Sequence, residues 1–217
     1  MTRTILNLFE ILLNYYGKQN WWPADTQFEV VIGAILTQNT AWKNVNKAIN
    51  NLKEKRLLEP EILNLTDSET IENLIKPSGF YRQKTKKIKN FLDFFIKYDF
   101  NFDKLSKEER LREKLLKING IGKETADSIL LYALELPYFV IDSYTKRLSF
   151  RLNIIDNEIV KYEDLQSIYE SELPKDIEIY KEYHALIVEH SKIHCKKKPY
   201  CFSCPVDFMC KYYKELK

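Results

Sequence analysis

All four cysteines of the chain lie in one short segment near its C-terminal end. Five, two and five residues separate the successive members of this set, which is Cys195, Cys201, Cys204 and Cys210. Four thiolates in so compact a loop can bind a tetrahedral zinc ion or a [4Fe–4S] cluster, whereas a disulfide framework would spread its cysteines through the fold. Zinc ribbons usually pair two C-x2-C knuckles, and only one is present here. The spacing therefore predicts a site for zinc or for an iron–sulfur cluster.

A second candidate site is a Gly-x-Gly turn between two apolar helical patterns. Glycine permits a positive φ and lets another backbone approach closely. The N–H groups of such a turn, with the N-terminus of the next helix, can bind a phosphate. A tight turn between packed helices would look similar, but the flanking isoleucines and Ala126 favour a helix–hairpin–helix of DNA-binding proteins. The predicted DNA-binding residues are Ile118, Gly120, Ile121, Gly122 and Lys123.

Asp142 follows the apolar residues 138–141 and precedes an amphipathic stretch. The local sequence predicts a helix N-cap. A carboxylate near a DNA-binding hairpin also has a chemical use, since it can stabilise a cationic sugar transition state and orient or deprotonate a water.

The three tryptophans fall in two segments, Trp21-Trp22-Pro23 and the stretch that ends at Trp42. Adjacent tryptophans commonly pack inside a domain. Trp42, however, follows the polar Thr-Gln-Asn-Thr segment, which is an unusual place for a core residue. A stacked aromatic pocket would favour an electron-poor base through cation–π attraction, worth roughly 0.5–2 kcal/mol.

The elements that must position these residues are predicted to be helical. The 217 residues include 5 glycines and 7 prolines, few turn residues for a many-stranded fold. Apolar residues recur at helical spacing over 28–36 and 126–134. Thr66 with Glu69, and Ser106 with Glu109, resemble capping boxes. We therefore predict an all-α chain of roughly ten helices joined by short loops.

The amino-acid composition excludes some classes of protein. Hydrophobic residues make up 45% and charged residues 30%, which excludes global disorder. The longest apolar run, residues 30–36, is too short to span a membrane. We expect a cytoplasmic monomer without a secretory signal. A net charge of +3 does not by itself indicate a nucleic-acid partner.

Hairpin, Asp142 and cysteine loop occur in an order that resembles the endonuclease III superfamily of helix–hairpin–helix DNA glycosylases, from about residue 28 to residue 210. The resemblance implies a six-helix barrel with the hairpin at 24–136. It implies a second helical domain from 1–23 and 137–217, with a [4Fe–4S] loop at 195–210. Asp142 matches the catalytic aspartate, and the partner would be double-stranded DNA that contains damaged bases. Further DNA contacts are expected from Gln38, Asn39, Lys196, Lys197 and Lys198.

The chain departs from endonuclease III itself at two positions, and its first cysteine gap is one residue shorter. Glu124 stands where bifunctional members carry the lysine that forms a Schiff base, and a carboxylate cannot be an amine nucleophile. Trp42 stands where endonuclease III has an aspartate. With the Trp-Trp-Pro motif, these features are similar to 3-methyladenine glycosylases of endonuclease III type, which implies a base pocket formed by Trp21, Trp22, Pro23 and Trp42.

The sequence therefore predicts a monofunctional glycosylase of base excision repair that hydrolyses alkylated purines from DNA. Two alternatives stay open. One is a bifunctional or mismatch glycosylase, with lyase activity through Lys123. The other is a non-catalytic protein that binds DNA damage, although such a protein has no need of an acid at Asp142.

Overall fold

The computed structural model describes residues 4–19 and 21–216, and every regular element in these ranges is helical. The α-helices, in chain order, are α1 Thr4–Tyr16, α2 Gln27–Leu36, α3 Trp42–Glu54, α4 Pro60–Leu65, α5 Ser68–Ile75, α6 Tyr81–Phe95, α7 Phe102–Ser106, α8 Leu111–Leu116, α9 Lys123–Ser128, α10 Ser143–Arg151, α11 Tyr162–Glu172, α12 Ile177–Ile193 and α13 Lys211–Leu216. A π-helical segment, Ile129–Ala133, continues α9. Short 3-10 turns occupy Lys76–Ser78, Ile96–Tyr98 and Asp207–Met209.

The all-α prediction is correct, but its count and two of its helix starts are wrong. The described part holds thirteen α-helices rather than roughly ten, because helices of five or six residues are too short to show a periodicity. The N-cap of α5 is Asp67, which accepts a hydrogen bond from the Thr70 N–H at 2.8 Å, and Thr66 instead ends α4. Ser106 is the last residue of α7.

The chain divides into two compact units, one of Ala24–Leu136 and one of Met1–Pro23 with Pro137–Lys217. In the first unit, α2 is buried from Phe28 to Leu36 and packs on α3, α6, α9 and the π-helical segment. Residues 82–89, which contain five basic side chains and no acidic one, lie on α6. Lys84 of this run is only 2% exposed, and its Nζ donates to the carbonyls of Leu36 at 2.8 Å and Ser78 at 2.7 Å.

The second unit is built around α12, which packs on α1 and α10. Its core is aromatic: Phe139 stacks on Tyr169 with ring centroids 4.7 Å apart, and Tyr180 and Tyr183 pack against Phe139 in T-shaped geometry. Burying large rings contributes more hydrophobic stabilisation per residue than aliphatic packing does. These rings therefore anchor the segment that leads to Asp142.

Among the described residues, no helix is both long enough and apolar enough to cross a bilayer.

Candidate functional site

Asp142 lies at the N-terminus of α10, as the sequence predicts for a helix cap. Its Oδ1 accepts hydrogen bonds from the Thr145 backbone N–H at 2.7 Å and from Thr145 Oγ1 at 2.9 Å. Its Oδ2 lies 3.7 Å from Nε2 of His184 on α12. One oxygen therefore forms the cap, and the other faces a second helix.

The backbone that enters this cap is fixed by side chains of α11. The Phe139 N–H donates to Glu170 Oε1 at 2.8 Å, and its carbonyl accepts from Gln166 Nε2 at 2.8 Å. The Ile141 N–H donates to the hydroxyl of Tyr162 at 3.2 Å. Side chains of one helix thus bind the backbone of the segment that leads to Asp142, which fixes the start of α10.

Two opposing effects act on the ionisation of Asp142, which is 9% exposed. Burial, the largest single effect, raises the pKa of its carboxyl. The nearby His184 imidazole and the two hydrogen bonds from Thr145 lower it, and in sum they prevail, so the pKa lies below its usual range. Asp142 is therefore an anion at neutral pH, the state needed to stabilise a cation or accept a proton from water.

The tryptophan pair lies close to this carboxylate. The Trp21 ring is 5.4 Å from the His184 ring and 5.5 Å from the Trp22 ring. Both tryptophans are half-buried, and Pro23 is exposed. In this unit of the chain, one imidazole separates an aromatic pair from the Asp142 carboxylate.

The Gly-x-Gly turn joins α8 to α9 as predicted. Gly120 has a φ of +97°, a conformation that side chains rarely adopt, whereas Gly122 is extended and forms the N-cap of α9. Ile121 is buried and its N–H donates to the Ile118 carbonyl at 3.0 Å. Lys123 is exposed in the first turn of α9. The geometry is that of a hairpin between two short helices.

Gln38 ties the Thr-Gln-Asn-Thr segment to this hairpin. Its Nε2 donates to the Gly120 carbonyl at 3.1 Å and to Thr125 Oγ1 at 2.9 Å, and its Oε1 accepts from Lys87 Nζ. Asn39, the next residue, is exposed with a left-handed φ of +55°. Both residues are expected from the sequence to contact DNA, but their environments differ. Gln38 is hydrogen-bonded to the hairpin, and Asn39 is exposed to solvent.

Trp42 and Glu124 complete the set of predicted residues in this unit. Trp42 is half-buried at the start of α3, and Glu124 is exposed beside Lys123 in the first turn of α9. The structure therefore presents a carboxylate, and next to it an amine, at the end of the hairpin.

Comparison with known proteins explains this combination of hairpin and buried aspartate. The sequence profile of the HhH-GPD superfamily of base excision DNA repair proteins matches residues 32–178. The chain belongs to this superfamily. It is 55% identical over 211 residues to a Methanocaldococcus jannaschii protein named as a candidate DNA repair glycosylase, MJ1434, with 95% of each chain covered. It is 30% identical to endonuclease III of Sulfolobus acidocaldarius, over 86% of this chain and 82% of that one.

A solved structure agrees with the family assignment. The H. pylori 3-methyladenine DNA glycosylase MagIII, bound to 1,N6-ethenoadenine, superposes with a TM-score of 0.77 at 30% identity, over 87% of this chain and 97% of that one. The resemblance predicted from the order of hairpin, aspartate and cysteines is confirmed. This HhH-GPD protein is a DNA glycosylase of base excision repair, and its partner is DNA.

The cysteine loop of this HhH-GPD protein surrounds a small cavity. All four thiols line it, with apolar walls from Leu148 and Val206. Burial and the neighbouring thiols raise the pKa of Cys204 to about 11, although a hydrogen bond from the Val206 backbone opposes this. Among the described residues, no three His, Cys, Asp or Glu side chains form a set that could hold a metal ion. Four soft sulfur donors around one cavity have the chemistry of a zinc or iron–sulfur site.

Arginines of α10 hold the first part of this loop. Arg151, 8% exposed, donates to the Lys196 carbonyl at 2.6 Å and the Lys197 carbonyl at 3.0 Å, and lies 3.3 Å from Cys195 Sγ. Arg147 donates to the Cys195 carbonyl at 2.8 Å. The side chains of all three lysines of the loop, Lys198 included, are exposed. The loop therefore turns its carbonyls inward and its charges toward solvent.

Sequence reasoning missed three functional candidates: His184, Arg151 and Lys87. Nothing local distinguishes His184 from other polar residues of α12. Arg151 closes a helix, where a basic residue is ordinarily explained by the helix dipole. For Lys87 a signal existed, because a glycine-rich turn commonly marks the close approach of another group.

Proposed function

We propose that this glycosylase removes alkylated purines such as 3-methyladenine from DNA by hydrolysis and leaves the strand intact. The observation that carries the substrate class is the tryptophan pair, since Trp21 lies against His184 and His184 faces the Asp142 carboxylate. An electron-rich aromatic pair beside a carboxylate suits a cationic base on a sugar that becomes cationic. The 3-methyladenine glycosylase to which the chain is similar supports the same class.

The chemistry of the leaving group agrees with this site. A ring-methylated adenine carries a positive charge, so its glycosidic bond is already weakened and needs little help from a general acid. The Asp142 carboxylate stabilises the sugar cation that develops and orients or deprotonates the attacking water. The Trp21 and Trp22 faces attract the charged base, and Trp42 is a further candidate for stacking on it.

The absence of strand cleavage rests on Glu124. A β-elimination needs an amine that forms a Schiff base with the sugar, and a carboxylate cannot do so. With Glu124 in the first turn of α9, water is the nucleophile and an abasic site is the product.

Lys123 favours a second candidate, a bifunctional enzyme like endonuclease III. Its side chain is exposed one position before Glu124, and the chain is 30% identical to an endonuclease III. On a helix, adjacent side chains point about 100° apart, so this amine would have to reach around the helix. Borohydride trapping of wild type and of Lys123→Ala on abasic DNA separates the candidates. A covalent adduct that the substitution removes would establish the lyase.

The substrate is tested by base release from methylated DNA and from duplexes that contain uracil, thymine glycol or an A·8-oxoguanine pair, each with and without alkali. Release of 3-methyladenine, with strand breaks only after alkali, is the expected result. Strand cleavage at thymine glycol without alkali would replace the proposal by the second candidate. Binding of damaged DNA without release of any base would indicate a non-catalytic protein.

Trp22 tests the role of the aromatic pair, because its ring lies 5.5 Å from the Trp21 ring. Trp22→Leu keeps an apolar side chain but removes the π face, which should lower excision of cationic 3-methyladenine by about 2- to 30-fold relative to neutral 1,N6-ethenoadenine. Trp22→Phe, the matched control, should retain most of this preference. Equal losses on both bases in Trp22→Leu would contradict a cation–π contribution.

The remaining site residues form part of the same proposal. We assign a [4Fe–4S] cluster to the four loop cysteines, with a structural role, because base hydrolysis requires no electron transfer. The hairpin from Ile118 to Lys123 and exposed Asn39 are assigned to the DNA backbone and duplex, and Lys196, Lys197 and Lys198 to phosphates. The barrel at 24–136 would then carry the hairpin, and the segments 1–23 and 137–217 the acid and the cluster.

A further inference from the structure

We propose that His184 is a positioning residue for the Asp142 carboxylate, and that Trp21 holds its imidazole in place. The inference rests on the proposed role of Asp142 at the sugar, but not on the identity of the excised base. It concerns which group fixes the second carboxylate oxygen, the one that the helix cap leaves available.

The two oxygens of Asp142 have different neighbours. Oδ1 accepts hydrogen bonds from the Thr145 backbone N–H at 2.7 Å and from the Thr145 hydroxyl at 2.9 Å, so it caps the N-terminus of α10. Oδ2 faces Nε2 of His184 at 3.7 Å, which is longer than a hydrogen bond and within ion-pair range. Catalytic contacts in free enzymes are often long and tighten when the substrate is bound. The imidazole therefore sets the direction of the oxygen that would meet the sugar.

His184 has little freedom to move. It is 4% exposed in the middle of α12, whose neighbours on the chain, Tyr183 and Ala185, are also buried. Its ring packs against the Trp21 ring at an angle of 49°. Because the imidazole is buried and packed against a large ring, it stays in one rotamer and can hold the carboxylate in one orientation. Catalysis by orientation requires such pre-organisation.

His184 is also the ionisable group best placed to influence Asp142. Tyr169 on α11 is a second ionisable group near Asp142. Burial, and to a smaller extent the charge of Asp142, raise the pKa of its phenol, which therefore stays neutral. The Tyr169 hydroxyl shares a hydrogen bond with Ser149 at 2.9 Å. At the C-terminal end of α12, Lys192 lies 6.0 Å from the Trp21 ring. His184 therefore lowers the pKa of the carboxyl with no competing charge of similar proximity among the described contacts.

Binding of abasic-site analogues tests the proposal independently of the base. The full-length protein is titrated with duplex DNA that contains either a cationic pyrrolidine or a neutral tetrahydrofuran at one position. Wild type should prefer the cationic analogue, because the oriented carboxylate faces the charge. His184→Leu should lose about 10²-fold of this preference, as expected for a misplaced catalytic group, with tetrahydrofuran binding unchanged.

Conservative variants separate positioning from packing. The Nε2 of glutamine in His184→Gln can reach the place of the imidazole Nε2, so this variant should retain most of the preference. Asparagine is one methylene shorter, and His184→Asn should behave like His184→Leu even if the leucine variant folds poorly. If glutamine and asparagine give the same preference, or if both analogues weaken equally, His184 only fills space and the proposal is wrong.

A pH profile gives a readout that a purely structural role would not move. The acid limb of single-turnover excision from methylated DNA follows protonation of Asp142, and it should shift to higher pH in His184→Asn but much less in His184→Gln. Carbon NMR of labelled aspartate gives the same comparison without substrate. Wild type that prefers the cationic analogue but releases no 3-methyladenine would overturn the substrate assignment and leave the role of His184 intact.

Discussion

Gly120 offers a sharp test of the hairpin, because its neighbour Gly122 is a matched control. Gly120 has a φ of +97°, and a Cβ built on it would overlap Lys87 Cγ and lie 2.8 Å from Lys87 Cδ. Gly122 has a φ of −88°, and nothing lies within 4 Å of the corresponding Cβ. Alanine at the two positions should therefore have very different effects on the free energy of unfolding.

The expected loss of folding stability in Gly120→Ala has two parts. A left-handed backbone costs a side chain about 1–2 kcal/mol. The Lys87 stem must leave its rotamer, at about 0.5–1.5 kcal/mol. We expect the sum, about 1.5–3.5 kcal/mol, as lost stability, against about ±0.5 kcal/mol for Gly122→Ala. Because Lys87 also donates to Gln38, its displacement should weaken the link between that segment and the hairpin.

Chemical denaturation of a double-mutant cycle with Lys87→Ala measures the two parts separately. Lysine-to-alanine removes the atoms that clash, so Gly120→Ala should cost about 0.5–1.5 kcal/mol less in that background than in wild type. The strain of the backbone should persist in both. Equal stability of Gly120→Ala and Gly122→Ala would refute the reasoning, and so would strict additivity of the cycle.

Three further variants test stability, pH dependence and the cysteine loop. Lys84→Met leaves the Leu36 and Ser78 carbonyls without their buried donor and should cost about 1–3 kcal/mol in denaturant unfolding. Burial, with the charge of Lys87 adding to it, lowers the pKa of Lys84 from 10.5 to about 8. The unfolded state therefore binds more protons between these values, and wild type should gain stability relative to Lys84→Met as the pH rises through that window. Asp142→Asn should keep the cap and DNA binding and lose about 10²-fold or more in excision. The pKa of the Asp142 carboxyl in the folded protein lies below its ordinary value of 3.8. The ionised carboxyl should therefore stabilise the fold fully at neutral pH, and this contribution should vanish as the pH falls through the folded pKa. The difference in melting temperature between wild type and the variant measures it. Cys204→Ser should lose the iron, the sulfide and the visible absorption of the purified protein, whereas unchanged iron content would contradict the cluster assignment.

The sequence predicts the features that are coded locally. The hairpin is marked by two glycines at a fixed spacing, and the cap of α10 by an aspartate with a threonine three residues later. The Thr66 and Ser106 assignments were wrong because the capping pattern is short and recurs by chance next to real helix ends. Asp67 supplies the cap one residue further along.

The features that depend on the path of the chain could not be predicted. A run of lysines on an amphipathic helix looks like a solvated face, yet Lys84 is buried because two carbonyls converge where its amine ends. Gln38 looks like a DNA contact, and its bonds to the hairpin become visible only when α2, α6 and α9 are assembled. His184 becomes a candidate only because it lies close to Asp142, which caps a different helix. No residue spacing within α12 predicts that contact.

The cap formed by Asp142 bears on how this enzyme can evolve. Catalytic groups commonly cost stability, so a variant that lacks them folds better and can accumulate when activity is not selected. Here the carboxylate also caps the first turn of α10, so most replacements would lower stability and excision together. Selection for a folded chain alone would then retain an aspartate, or the asparagine that mimics its cap, at this position. An inactive descendant of this protein should therefore be sought among its amide variants, because they keep the fold and lose the charge.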